Sequence, residues 1–167
     1  MKLKYLILLL IPLIICGCSK KEEVKTIPDY DSDIKCVKTG QTYDLEDGTP
    51  EDFISNIYVY LDDNENVESA IFQNISKSTV FDKATIELTN QLLSIYKDID
   101  GIDAFTDTVD DKLIITIKYN YLDMDLDLAK KKLGSIIDDD NIIKKAKKLP
   151  FSYEEFNKYS LSGYECK

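Results

Sequence analysis

Residues 113–121 read Leu-Ile-Ile-Thr-Ile-Lys-Tyr-Asn-Tyr, and this stretch decides the fold. Apolar and aromatic side chains at every second position alternate with a half-polar series, which is the pattern of a β-strand with one buried face. An acidic turn at Asp110-Asp111 separates the stretch from a second strand-like segment, residues 103–109. Together the two segments predict an antiparallel hairpin.

A second hairpin is predicted upstream. Residues 57–61 read Ile-Tyr-Val-Tyr-Leu, and a polar turn over 62–66 leads to a second strand over 67–76. The turn also resembles the start of an EF-hand calcium loop. However, Val67 stands where that loop needs glycine, and Gln73 stands where it needs a bidentate glutamate. We therefore interpret residues 62–66 as a hairpin turn.

Helical patterns lie between the hairpins and after them. The first predicted helix is capped by Asp82, ends at Gly101 and has an apolar stripe made of Ala84, Leu88, Leu92, Ile95, Tyr96 and Ile99. A second helix is predicted over 125–137, a short third one after the acidic residues 138–140, and a fourth at the capping box 152–155. We predict one α+β domain over 34–167, an antiparallel sheet built from hairpins and packed on one face by two or three helices.

The first 18 residues are typical of a lipoprotein leader. Two lysines precede an apolar run that is too short to span a membrane, which needs ~20 residues. The run ends in Ile15-Cys16-Gly17-Cys18, which resembles the lipobox of bacterial lipoproteins. This resemblance implies removal of residues 1–17 as a signal peptide and lipid (palmitate) on Cys18. It also implies a flexible tether over 18–33 and a location on the extracytoplasmic face of the cell membrane.

Cys36 and Cys166 remain after that processing, one near each end of the predicted domain. An even pair of cysteines in an exported protein favours a disulfide. Both cysteines lie in short strand-like segments, so we expect a bond between neighbouring first and last strands. A metal-binding pair and a redox dithiol stay open as alternatives, although the chain has no His and no CxxC spacing.

The composition restricts the function classes. The chain has a net charge of −10 and contains no His, Trp or Arg. An acidic protein is a poor partner for nucleic acid, because phosphate binding needs a basic surface. Without His the usual base of a nucleophilic triad is missing, and no P-loop or nucleophile-elbow motif is present. We therefore expect a non-enzyme without a cofactor, and the many carboxylates leave a hydrolase of envelope polymers as a weaker alternative.

Tyr58 and Tyr60 form the candidate interaction surface. In the predicted strand they point away from the apolar face, so an exposed pair would offer aromatic surface to an envelope protein, peptide or glycan. The alternative is that both rings lie under a helix.

Residues 92–102 read Leu-Leu-Ser-Ile-Tyr-Lys-Asp-Ile-Asp-Gly-Ile. A helix that ends in this way, followed by a strand pair and an acidic-aliphatic helix start at 123–128, resembles the YehR-like family of small bacterial lipoproteins. The resemblance covers about residues 80–133. It implies an α+β lipoprotein and supplies no catalytic residues.

Taken together, these patterns favour a membrane-tethered, non-enzymatic binding or interaction module of the cell envelope. The alternative function is a small-ligand carrier with a pocket between the sheet and the helices.

Overall fold

The computed structural model describes residues 25–43, 48–77, 83–135, 137 and 141–167. Within these residues the chain forms seven strands and four helices. In chain order they are β1 (Ile34–Tyr43), β2 (Pro50–Leu61), β3 (Asn66–Lys77), α1 (Lys83–Lys97), β4 (Ile102–Val109), β5 (Lys112–Asn120), α2 (Leu126–Leu133), α3 (Ile142–Lys145), β6 (Phe151–Ser152), α4 (Tyr153–Ser160) and β7 (Glu165–Cys166).

The strands form one antiparallel sheet with the spatial order β4-β5-β3-β2-β1-β7, and the short β6 pairs with the start of β3. The two predicted hairpins are present as β2-β3 and β4-β5. Pairing of β3 with β5 joins them, and β1 extends the sheet beyond β2. The α+β prediction is therefore confirmed as a mainly antiparallel sheet accompanied by helices.

Alternation along the strands gives the sheet two different faces. Ile57 of β2 and Ala70 of β3 belong to the larger core, which also contains buried side chains from all four helices. The opposite face carries Tyr58 and Gln73, which are buried as well. We call this second surface the open face, because its apolar cluster contains no residue from the described helices.

Helix α1 is rotated relative to the predicted stripe. Leu93 and Tyr96 face the core and are 6% and 8% exposed, whereas Leu88 and Leu92 are 57% and 51% exposed. The predicted stripe is therefore wrong at Leu88 and Leu92. The helix packs beside the edge strand β4, and in this position the side chains of Leu88 and Leu92 lie in solvent. The predicted cap at Asp82 lies outside the described residues.

The later helix starts follow capping chemistry. Asp125 caps α2, which ends at Leu133 rather than at the predicted residue 137. Asn141 caps the single turn of α3, and the acidic run 138–140 lies outside the described residues. One half of the predicted capping box is present: the Ser152 hydroxyl accepts a hydrogen bond from the Glu155 backbone N–H at 3.2 Å and so caps α4. In the described part of the chain, every helix is too short or too polar to cross a membrane.

Candidate functional site

Cys36 and Cys166 face each other across the β1-β7 pair. Their sulfur atoms are 2.03 Å apart and their Cα atoms 4.0 Å apart. Next to them, Lys35 and Lys167 exchange backbone hydrogen bonds of 3.0 and 3.1 Å. The cysteines thus occupy the adjacent non-hydrogen-bonded position, where opposite side chains approach most closely. The predicted meeting of the first and last strands is confirmed. Among the described residues, no group of three or more potential ligands is arranged to hold a metal ion.

Residues 25–33, which we call the strap, lie across the open face of the sheet. At one end the Asp33 carboxylate accepts a hydrogen bond of 2.8 Å from the Leu61 backbone. Further along, the Pro28 carbonyl accepts a 2.9 Å hydrogen bond from the side chain of Gln73. These contacts attach the second half of the predicted tether to the domain.

The other end of the strap reaches the edge strand β4. Ile27 packs on a small apolar cluster that consists of Ile75, Val109 and Ile114. Lys25 forms an ion pair with Asp107 at 3.0 Å, and both side chains are largely exposed, so this pair adds little stability. Along the chain, the strap therefore crosses the sheet from the β4 edge to β1. Lys25 thus lies at the edge of the sheet opposite to the disulfide.

Tyr58 lies beneath the middle of the strap. The Asp29 carboxylate accepts hydrogen bonds from Lys35 at 2.6 Å and from the Tyr58 hydroxyl at 2.9 Å, and these bonds lower the pKa of Asp29. Burial, followed by the bond to Asp29, raises the pKa of Tyr58. The Tyr30 ring packs edge-on against Tyr58 with centroids 5.1 Å apart. At 1% exposure Tyr58 is not part of an open aromatic surface, and its cover is the strap instead of a helix.

Tyr60 has a different environment, because it borders an open depression of about 580 Å³ beside the strap. Lys118 lies here with its ammonium 5.2 Å from the Tyr30 ring and 5.4 Å from the Phe105 ring, so two aromatic faces stabilise the cation. The strap-side depression therefore offers aromatic, apolar and charged groups together. Its lining consists of Tyr60, Glu68, Ser69, Ile71, Gly101, Ile102, Asp103, Lys118, Tyr119, Asn120 and Leu122.

A second space, the aromatic cavity, lies between the sheet and the helices and measures about 290 Å³. The sequence patterns did not indicate it, because its residues are separated along the chain and each one fits an ordinary core position. Only the pairing of β3 with β5 and the placement of α1 and α4 bring them together. Among the described residues, the lining includes Phe72, Asn74, Tyr96, Ile117, Tyr119, Tyr121, Ile137, Asn141, Ile142, Ile143, Tyr159 and Ser160.

Comparisons with known proteins add little to this description. No family model matches the chain, and no curated protein matches it. The NMR structure of a protein from Streptococcus pneumoniae TIGR4 aligns with 86% of this chain and 91% of that chain, at 13% identity and a TM-score of 0.38. A likeness at this level supports no conclusion about fold or function, and the resemblance to YehR-like lipoproteins stays a prediction. Cys18 lies outside the described residues.

Proposed function

We propose that this chain is a lipid-anchored lipoprotein of the extracytoplasmic membrane face, and that its domain is a non-enzymatic binding module. The strap is the observation that carries the proposal. Its first sheet contact, Lys25, is only seven residues from Cys18, the proposed lipid attachment site. Seven residues span at most about 25 Å when fully extended. The anchor would therefore hold the strap and the β4 edge close to the bilayer.

The strap-side depression is the proposed binding surface. Tyr60 lies at its margin, and Lys118 and Asp103 place both signs of charge within it. Exposed Leu122 adds apolar area at the rim. Mixed aromatic, apolar and charged groups suit an envelope protein, peptide or glycan as the partner. The net charge of −10 argues against nucleic acid.

The anchoring part of the proposal is tested with Cys18→Ala in a bacterial host. We expect the variant to leave the membrane fraction or to accumulate as an uncleaved precursor without diacylglycerol. Cys16→Ala is the matched control, because this cysteine lies within the proposed leader and should not carry lipid. A Cys18→Ala protein that is cleaved and membrane-bound like the parent would show that the lipobox interpretation is wrong.

The binding part is tested with a photocrosslinking amino acid in place of Tyr60, and with the same group in place of Glu154 as a control. Glu154 is exposed on α4, which packs on the opposite face of the sheet. We expect covalent adducts with envelope components from position 60 and not from position 154. Equal adducts from both positions would contradict a specific surface at the depression.

The aromatic cavity favours a second candidate function, a carrier of a small ligand. Its position between the sheet and the helices is the one expected for a carrier, and its walls are mostly aromatic or aliphatic.

A further inference from the structure

We propose that the part of the open face beneath the strap is a groove for an extended acidic peptide of a partner protein, and that the strap is the occupant supplied by the chain itself. This groove is separate from the depression assigned to binding above. The inference therefore goes beyond the proposed function, and it does not depend on the lipid anchor.

The strap lies on the sheet in the way a bound peptide would. Residues 25–33 form no helix or strand and cross the open face from the β4 edge to β1. In the middle of this path, the buried Gln73 side chain donates a 2.9 Å hydrogen bond to the main-chain carbonyl of Pro28. Every peptide carries such carbonyls, so a different extended segment could accept the same hydrogen bond.

Side chains of the strap define what else the groove accepts. Ile27 packs on the small apolar cluster near the β4 edge. The carboxylate of Asp29 accepts hydrogen bonds from Lys35 and from the Tyr58 hydroxyl. The Tyr30 ring packs edge-on against the Tyr58 ring. These contacts therefore select an apolar residue, then any residue, then an acidic residue and an aromatic one.

The charges on the open face favour an acidic occupant. Lys35 and Lys118 lie at the middle of the strap, and the Lys118 ammonium is 5.2 Å from the Tyr30 ring. Asp103 and Asp107 lie further out, on the edge strand β4. The strap matches this arrangement, because it has a lysine at its β4 end and three aspartates over residues 29–33. A partner peptide with acids in its second half would be attracted in the same way.

The surface beneath the strap carries a buried polar row, whereas a surface that is always covered is usually apolar. Asn56, Gln73 and Thr116 are direct neighbours on β2, β3 and β5. Asn56 donates to Gln73 at 2.9 Å. Thr116 Oγ1, however, forms no hydrogen bond among the described residues, although its position near Tyr30 offsets part of the rise that burial causes in the pKa of Tyr30. An occupant that pairs this atom would bind better here than the strap does.

The first experiment measures peptide binding to the full chain, purified in a zwitterionic detergent and labelled with ¹³C on the tyrosine rings, by NMR. The probe is the peptide Gly-Leu-Ser-Glu-Phe-Glu-Thr-Glu, which keeps the strap's order of apolar, acidic and aromatic residues but changes the residue at each of positions 26–33. A scrambled peptide of the same composition is the control. In the variant Ile27→Ser, Tyr30→Ser, whose strap contacts are weakened, we expect the probe to shift the Tyr58 resonances saturably and the scrambled peptide to bind at least about tenfold more weakly. Absence of binding, or equal binding of both peptides, would overturn the proposal and leave the strap a fixed part of the fold.

The parent chain gives an independent measurement, which decides the question should the variant fail to fold. Here the probe must displace the strap, so we expect at least about tenfold weaker apparent binding than in the variant. The Tyr30 resonances should move to those of an exposed tyrosine as the Tyr58 resonances shift. Tyr58 shifts without release of Tyr30, or no displacement by the probe at millimolar concentration when the variant cannot be used, would contradict the assignment.

Lys35→Gln, introduced into the strap variant, tests the carboxylate contact. We expect about tenfold weaker binding of the probe, because a charged hydrogen bond is lost, and no such loss for a probe with glutamine in place of its first glutamate. Lys38→Gln is the matched control, since Lys38 lies over the Tyr164 ring on the other side of β1. Unchanged affinity in Lys35→Gln would refute the acidic specificity. The tests use no membrane and change no residue that lines the depression, so they stand apart from the anchoring and crosslinking experiments.

Discussion

Two glycines with positive φ separate the effect of backbone conformation from the effect of close packing. Gly101 follows α1 at φ +80°, and a Cβ there would lie 2.5 Å from the Asn120 carbonyl oxygen and 2.9 Å from the Met124 nitrogen. Gly48 has φ +72°, and no heavy atom of the described residues lies within 4 Å of such a Cβ. The backbone conformation disfavours an L side chain at both positions. Only at Gly101 would a side chain also clash with neighbouring backbone atoms.

We therefore predict unequal costs for the two alanine substitutions. Gly48→Ala should lower the free energy of unfolding by about 1 kcal/mol, the ordinary cost of a left-handed L residue. Gly101→Ala should lower it by more than about 2 kcal/mol, because the Asn120 carbonyl must also move. Urea unfolding of both variants measures the difference. Equal losses would mean that the turn after α1 adapts without cost.

Tyr58 shows what sequence pattern can and cannot predict at the scale of a residue. The alternation in β2 correctly places Tyr58 opposite to Ile57. It gives no information on what covers the ring, because the strap has no helical or strand period of its own. The strap is held by single contacts, such as Asp29 to Tyr58 and Pro28 to Gln73, between residues far apart in the chain. Such contacts leave no local signal.

The strap as an element should loosen in acid. Hydrogen bonds from Lys35 and Tyr58 lower the pKa of Asp29, and the bond from Lys25 lowers the pKa of Asp107. A carboxylate with a lowered pKa stabilises the folded state above its unfolded value of about 3.9, and this contribution is lost as pH falls through the folded pKa. We therefore expect the strap to stay docked at neutral pH and to detach below about pH 4. The NMR resonances of Tyr30 measure this between pH 7 and pH 2.

Tyr58→Phe tests the cause of that transition. Removing one of the two donors to Asp29 should bring the pKa of Asp29 nearer to its ordinary value, so the strap should detach at a higher pH than in the parent. Tyr60→Phe is the control, because Tyr60 makes no hydrogen bond to Asp29. Tyr30 resonances that do not change from pH 7 to pH 2 would contradict the proposed role of these carboxylates.

The elements divide in the same way into those with local signals and those without. The hairpin β4-β5 and the cap at Ser152 follow from turn and capping chemistry within a few residues. The orientation of α1 depends instead on its position beside β4, and it leaves Leu88 and Leu92 of the predicted stripe exposed. The aromatic cavity likewise needs the pairing of β3 with β5, which no local pattern specifies.

For the whole molecule, the disulfide connects the two ends of the domain. Cys36 and Cys166 are 130 residues apart in sequence, and disulfides typically give about 2–4 kcal/mol by restricting the unfolded chain. Cys166→Ala should lower the free energy of unfolding by that amount, and since Cys166 is exposed, the change leaves no cavity in the core. Reductant should destabilise the parent equally and leave the variant unchanged. Two free thiols in protein from the envelope, detected by non-reducing mass spectrometry, would contradict the bond.

The strap also sets how far the domain can move from the membrane, if Cys18 carries the lipid as proposed. We call the chain from Cys18 to the first residue held by the sheet the leash; with the strap docked it ends at Lys25 and can span at most about 25 Å. Detaching the strap extends the leash to Ile34, where β1 begins, and its limit rises to about 55 Å. A pull from the lipid therefore meets the strap before it reaches β1 and the disulfide. The strap is held by a few hydrogen bonds and one small apolar cluster, so it should yield first.

Energy transfer from a fluorophore at Ser162 to acceptors in the bilayer measures this reach. The double variant Ile27→Ser, Tyr30→Ser removes the strap's apolar contacts and leaves the sheet sequence intact, so we expect lower transfer than in the parent. Asp31→Ser is the matched control, because its side chain is exposed and makes no hydrogen bond or ion pair among the described residues. Its transfer should equal that of the parent. If the double variant also equals the parent, the strap does not limit the leash, and the position of the domain is set by contacts with the membrane or with a partner.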